Sequence, residues 1–285
     1  MKYQRAVGFS RSLRKVVLSK QLYPMLPSIY PQSRPRVVTT RSSSFLSPDM
    51  PNVLAVEHLR RRFEETANQE GIFPLLTEKQ TESFQKRVKW EPGDRQAAVL
   101  VLLCNVEGQP AILFTKRAAH LNQHAAELSF PGGHVEETET CADAALRETC
   151  EELLPPDGFL ENVQVIGRTS TLPSIRGTPV TAILAVLPHE ELKDIHEIFP
   201  GDPNEVDQVF SMSIYDLVRN EGSHVIENSR FGGTHAPTFA SPYGKIWGLT
   251  AFILRPMLHQ IFKPVYFSGA SVEGKEESAA SSAKL

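Results

Sequence analysis

The chain has 285 residues, room for one large or two small domains, and a formal net charge of -3. That balance conceals an asymmetry: residues 1–48 hold nine Lys or Arg and no Asp or Glu, which leaves 21 basic against 33 acidic residues in the rest. An acidic body argues against nucleic acid as the main partner, because phosphate backbones attract clustered Lys and Arg. An anionic small-molecule substrate would need local basic groups and a metal.

In chain order, residues 1–48 read as a targeting or disordered segment. They are Arg- and Ser-rich, and Val7, Leu13, Val16, Val17 and Leu22 are the apolar members of a basic amphipathic helix over 5–22. That composition fits a mitochondrial or plastid transit peptide. Residues 49–268 read as the folded body, and 269–285 as a flexible tail. In the body, Val53, Val56, Leu59 and Phe63 recur every three to four residues and predict a helix over 53–67. A Pro- and Lys-containing linker follows, up to about Gly93. The Val- and Leu-rich run 97–106 predicts a strand buried on both faces. A turn at 107–110 returns the chain into a second strand over 111–115. A helix is predicted over 140–153 and is ended by Pro155-Pro156. Strands over 163–171, 180–187 and 206–213 follow, then a short helix over 214–219. The last helix, 247–262, is expected to kink or split at Pro256. Strands outnumber helices and the long helix lies between strands, which fits an α/β sandwich with a mixed sheet. Cys104, Cys141 and Cys150 show no metal-ligand spacing and are expected to be reduced, buried small hydrophobes. Trp247 is expected in the core. No apolar run reaches the roughly 18 residues of a membrane-spanning helix.

The helix over 140–153 carries the chemistry. Residues 133–152 read G-H-V-E-E-T-E-T-C-A-D-A-A-L-R-E-T-C-E-E. Glu148, Glu151 and Glu152 stand at offsets of zero, three and four, which puts them on one helical face. Like charges so placed cost roughly a few tenths of a kcal/mol in an isolated helix. A folded chain that clusters them needs a compensating cation. Hard divalent ions such as Mg2+ take oxygen ligands and prefer a few carboxylates together with substrate phosphates.

This stretch resembles the Nudix box, the signature of hydrolases that act on nucleoside diphosphates linked to another group. Gly133, Glu139, Arg147, Glu148, Glu151 and Glu152 all fall in place, while Thr149 stands at an apolar position and Leu154 replaces the closing glycine. Upstream, Leu113-Phe114-Thr115-Lys116-Arg117-Ala118 and Phe130-Pro131-Gly132-Gly133 resemble the pattern of the coenzyme A pyrophosphatase branch. Phe114 replaces a leucine there, Asn122 stands where the branch has a second arginine, and Ala126 stands where it has a glycine. Gly177-Thr178-Pro179-Val180, Asn204-Glu205-Val206 and Ile246-Trp247-Gly248-Leu249-Thr250-Ala251 continue the likeness downstream.

The resemblance implies a Nudix-type α/β/α sandwich with the acidic helix packed on a mixed sheet. It implies Mg2+ or Mn2+ held by Glu148, Glu151 and Glu152, with the Gly133 carbonyl as a further ligand. Glu205, on another loop, offers one more carboxylate to complete a metal shell or orient water. Glu151 or Glu152 would take the proton of an attacking water; the sequence does not rank them. Arg117 would contact the substrate phosphates, and His124 would partly substitute for the arginine lost at Asn122. Gly132 and Gly133 would let the backbone turn tightly beside the substrate. Glu139 and Arg147 would brace the loop against the helix. The reaction implied is cleavage of coenzyme A or an acyl derivative to 3',5'-ADP and a 4'-phosphopantetheine product. The alternatives are a Nudix hydrolase of ADP-ribose, dinucleotides or oxidised nucleotides, or a nucleotide-binding Nudix module without turnover. The C-terminal Ala283-Lys284-Leu285 resembles the Ser-Lys-Leu peroxisomal address. Together with the basic N-terminus it suggests mitochondrial, peroxisomal or dual targeting.

Overall fold

The computed structural model describes residues 54–85, 88–90, 93–120, 126–225 and 235–267, all within the unit Phe45–Leu285. The helix expected over 5–22, the tail after Phe267, Asn122 and His124 lie outside the described residues.

Helix α1 (Val56–Thr66) buries Leu59 and Phe63, one turn apart on its inner face. The stretch expected to be linker instead holds strand β1 (Ile72–Phe73) and helix α2 (Glu78–Gln85). The Asn68 side chain makes that turn by accepting hydrogen bonds from the N–H groups of Glu70 and Ile72, and Phe73 is fully buried. Strands β2 (Ala97–Val106) and β3 (Gln109–Arg117) form a hairpin across Glu107 and Gly108, both at positive φ. Strands β4 (Leu128–Ser129) and β5 (Gly132–His134) precede α3 (Cys141–Leu153) and α4 (Phe159–Asn162). Then come β6 (Gln164–Thr169), β7 (Leu172–Pro173), β8 (Pro179–Leu192), α5 (Ile195–Ile198), β9 (Val206–Ser213) and α6 (Ile214–Arg219). A small antiparallel sheet follows, of β10 (Glu221–Val225), β11 (His235–Ser241) and β12 (Gly244–Ile246).

Among the described residues β1 to β9 form one mixed sheet in the order β1-β6-β8-β2-β3-β4, with β5 on β2, β7 on β8 and β9 on β3. The β2–β8 and β1–β6 pairs are parallel and the others antiparallel. One irregularity matters for function. Strands β2 and β3 pair only from Leu103↔Ile112 to Val106↔Gln109. Beyond that they part, and the chain 128–134 fills the split. Gly132 to His134 takes the free edge of β2 at Ala97 to Val99, and Leu128 and Ser129 take that of β3 at Thr115 and Lys116.

Both faces of the sheet are covered, which is why β2 is apolar from Ala97 to Cys104. Val101 and Leu103 join Ile112, Phe114, Leu184 and Phe210 under α1 and α7. Leu100, Leu102 and Cys104 join Leu113, Ile183 and Ala185 against Ala144, Ala145 and Leu153 of α3. Each such aliphatic side chain, fully buried, contributes about 1.5–3 kcal/mol. The result is an α/β/α sandwich.

Two expectations of burial need correction. Cys104 is buried, but Cys141 and Cys150 are only partly so, because both lie on the rim of the face that α3 packs on the sheet. Trp247 is 46 % exposed. It precedes α7 (Gly248–Met257), whose inward face is filled by Ala251, Ile253, Leu254 and Met257 instead. That helix does not end at Pro256. It runs to Met257 and then passes through a π-helical turn (Leu258–Phe262) into α8 (Lys263–Tyr266), so the helical geometry changes one residue after the proline, near the expected break.

Candidate active site

Helix α3 is secured at both ends. At its start the Thr140 hydroxyl accepts from the Asp143 N–H at 3.2 Å, while the Asp143 carboxylate accepts from the Thr140 N–H at 3.3 Å, a capping box that satisfies two free donors. At its end Leu154 turns left-handed at φ 51°. The carbonyls of Glu152 and Leu153 then accept from the N–H groups of Asp202 and Gly201 at 2.8 and 3.1 Å. The Glu205 carbonyl accepts from the Ala118 N–H at 2.9 Å. The loop 201–205 is thereby tied to the acidic helix on one side and to the end of β3 on the other.

Arg147 is the hub. Its Nε and Nη2 donate to the two oxygens of Glu139 at 2.7 and 3.0 Å. Its Nη1 donates to Glu148 and Glu151, both at 3.0 Å, and Nη2 also reaches the His134 carbonyl at 2.9 Å. These bonds raise the Arg147 pKa further above its ordinary value and hold the Glu139 carboxyl below its own. Gly133 lies flat on Glu148: a Cβ there would overlap the Glu148 carboxylate. Gly132, at φ 146°, would drive a Cβ into the Ala98 carbonyl.

Glu152 differs from its neighbours. It is 3 % exposed, and burial pushes its pKa up to about 7 against the pull of the Gly132 N–H and Arg117. The Gly132 N–H donates to one oxygen at 3.2 Å and Arg117 Nη1 to the other at 3.3 Å. The negative charges of Glu205 and Glu148 push in the same upward direction as burial. Glu151 is raised as well, first by burial, with Glu148 and Glu205 adding to it. Four carboxylates thus share one electrostatic neighbourhood, three from α3 and one from a loop more than fifty residues downstream.

Thr149, at the apolar position of the motif, is fully buried, and its hydroxyl donates to the Ala145 carbonyl at 2.6 Å. A hydroxyl satisfied within its own helix adds no unpaired polar group to the core.

Of the residues expected at the site, the fold brings together Arg117, Gly132, Gly133, Glu139, Arg147, Glu148, Glu151, Glu152 and Glu205. Arg117 is turned onto Glu152 rather than outward. A cavity of about 1260 Å³ opens beside this cluster, lined by Glu139, Arg147 and Glu148 and also by Arg95, Gln96, Val165, Arg168 and Ile183. No sequence signal marked the latter five, which come from segments separated by up to 88 residues.

The donors in the cluster are all oxygens, the chemistry a hard divalent ion takes. Among the described residues no three His, Cys, Asp or Glu side chains stand at ligating separation. Arg147 pairs with Glu148 and Glu151, and Arg117 with Glu152.

A family model described as the NUDIX domain matches residues 94–231. A protein named "Uncharacterized Nudix hydrolase NudL" from Enterobacter sp. (strain 638) is 37 % identical over 171 residues, 59 % of this chain and 83 % of the relative. The protein of that name from Escherichia coli O7:K1 (strain IAI39 / ExPEC) is 35 % identical over 171 residues, again 59 % of this chain and 83 % of the relative. Among solved structures, a C. elegans Ap4A hydrolase binary complex is 24 % identical and covers 44 % of this chain and 84 % of its own, with a TM-score of 0.34. A MutT/nudix family protein from Enterococcus faecalis is 18 % identical and covers 74 % of each chain, with a TM-score of 0.38. At these scores neither structural likeness carries an argument, and the assignment rests on the family match and the relatives. The chain belongs to the Nudix hydrolase family and is an enzyme of that kind.

Proposed function

We propose that this enzyme hydrolyses the pyrophosphate of coenzyme A or acyl-coenzyme A to 3',5'-ADP and the corresponding 4'-phosphopantetheine, using Mg2+ or Mn2+. One observation carries the reading. Arg117, from the segment that resembles the coenzyme A branch, donates to Glu152 of the acidic helix at 3.3 Å. That contact supports reading the branch-like segment and the acidic helix as parts of one site.

Glu148, Glu151, Glu152 and Glu205, with the Gly133 carbonyl, would hold the ion. Bound there, it would neutralise phosphate oxygens and acidify a water. The remaining steps are the work of the chain. Glu152, buried beside Glu148 and Glu205, is the first candidate to take the proton of the attacking water, the bound ion keeping it in its carboxylate form. Glu151, whose pKa is raised, is the other candidate base. The Gly132 N–H and Arg117 fix the two Glu152 oxygens in direction. Arg147, freed from Glu148 and Glu151, stays anchored on Glu139 and keeps the loop against the helix.

The test is mass analysis of products with Mg2+ from coenzyme A, acetyl-coenzyme A and ADP-ribose. Phosphopantetheine products are expected. Cleavage of ADP-ribose with no pantetheine phosphate formed would sink the reading. A second reading, hydrolysis of ADP-ribose, dinucleotides or oxidised nucleotides, is favoured by Asn122 standing where the branch has a second arginine. An Asn122→Arg variant that gains strongly on coenzyme A alone would favour the first. We further propose mitochondrial or peroxisomal residence, which reporters fused separately at each end of the chain would check; diffuse signal from both would refute it.

A further inference from the structure

The cavity beside the acidic helix has a distinct construction on its far side. Val165 on β6 is its exposed apolar wall, Ile183 on β8 lies buried behind it, and Arg168 stands opposite Ile183 in the antiparallel register. Arg95 lies on the loop that enters β2. At about 1260 Å³ the space exceeds the roughly 300–1,000 Å³ of a typical small-ligand pocket. It extends from Glu148 to Val165 and Arg168 on β6, so it accommodates more than the reacting diphosphate.

Cation accounting narrows what it takes. Three arginines and no lysine line the cavity: Arg95, Arg147 and Arg168. Arg147 is engaged by Glu139, Glu148 and Glu151. Nearby Arg117 is engaged by Glu152. Arg95 and Arg168 make no ion pair among the described residues. Asp94, Glu136 and Glu137 also face the space, and they disfavour an anion anywhere but beside those two guanidiniums. An exposed apolar side chain, Val165, beside guanidiniums that make no ion pair among the described residues suits a base with a phosphate at its edge, since arginine pairs with phosphate in a bidentate fork.

We infer that Arg168, assisted by Arg95, receives the 3'-phosphate of the adenosine end of the substrate while the base lies against Val165. This inference rests on the coenzyme A reading and adds the residues that distinguish coenzyme A from its dephospho form. Both arginines are solvent-accessible, so their replacement leaves the core intact.

The experiment compares kcat/KM for coenzyme A and 3'-dephospho-coenzyme A, with Mg2+, in the full-length enzyme and in Arg168→Ala, Arg168→Lys and Arg95→Ala. Wild type is expected to prefer coenzyme A. Arg168→Ala should shrink that preference at least about tenfold, through KM for coenzyme A rather than kcat, and Arg168→Lys should restore part of it. Calorimetry should show 3',5'-ADP binding more tightly than AMP to wild type, and the difference lost in Arg168→Ala. Equal turnover of both substrates by wild type would overturn the inference and leave the coenzyme A reading standing. So would an Arg168→Ala variant that slows both alike. Turnover of neither substrate, with ADP-ribose cleaved, would overturn the coenzyme A reading itself and this inference with it.

Discussion

Arg147 grips Glu139 with two nitrogens at 2.7 and 3.0 Å across eight residues of sequence. The same guanidinium reaches Glu148 and Glu151. It therefore does two jobs, clamping the loop that leads into α3 and neutralising the acidic face of that helix. Both groups are partly buried, so the pair lies between a surface and a buried ion pair. Arg147→Ala is expected to lower stability by about 2–4 kcal/mol, because the cut leaves three carboxylates without their common partner. Glu139→Gln, which keeps one acceptor, should cost less. Urea denaturation measures both; a loss under 0.5 kcal/mol in Arg147→Ala, roughly the value of an exposed pair, would contradict the hub.

Glu152 should make the metal-free protein pH-sensitive. Its folded-state pKa of about 7 lies above the ordinary value of 4.5, so the protonated form is the one that suits the fold. Its contribution is complete below the unfolded value and is lost as pH rises through about 7. Stability should fall across this window by on the order of 2–3 kcal/mol. Glu152→Gln, neutral throughout, should flatten the decline, and Mn2+ should do the same by favouring the carboxylate. Melting curves between about pH 5 and 8 read this out. A wild-type profile as flat as the variant's would contradict it.

The same substitution should act on catalysis. Glu152→Gln is expected to lose about 10²–10⁴-fold in kcat if this carboxylate takes the water proton. Glu151→Gln should then lose much less. The reverse order would move the base to Glu151.

Adjacent glycines should fail differently. A Cβ at Gly132 would meet the backbone of Ala98 and Val99, which cannot withdraw; at Gly133 it would meet the end of the Glu148 side chain, which can. Gly132→Ala is expected to destabilise by about 1–3 kcal/mol, as overpacking against backbone does. Gly133→Ala should keep most of its stability and lose activity, because it displaces Glu148. Thermal melting and turnover on the two variants separate the effects.

Leu154 sits left-handed where the family pattern has glycine, and it is 48 % exposed. A side chain in that region costs about 1–2 kcal/mol, part of which is offset by the greater freedom of glycine in the unfolded chain. Leu154→Gly should stabilise by up to about 1 kcal/mol. A lower denaturation midpoint would show that the leucine is held by contacts that outweigh its backbone.

The strands and the long helix were legible from local pattern. Residues 97–104 are apolar because β2 is covered on both faces, and Thr140 with Asp143 marks where α3 begins. The carboxylate triplet was legible for the same reason, since offsets of three and four share a helical face whatever the fold. Trp247 misled because apolar character says that a residue gains by burial, not that space is left for it beside α7. The unequal treatment of three adjacent glutamates was not legible. Glu152 is buried between Arg117 and Gly132, while Glu148 and Glu151 lean on Arg147, because β2 and β3 part and admit the chain 128–134. Glu205 joins them because the end of α3 hydrogen-bonds the loop that carries it. Arg95 and Arg168 reach the same cavity from separate segments. Periodicity reports the faces of one element at a time; which faces meet, and so which carboxylate loses its water, depends on contacts between residues far apart in the chain.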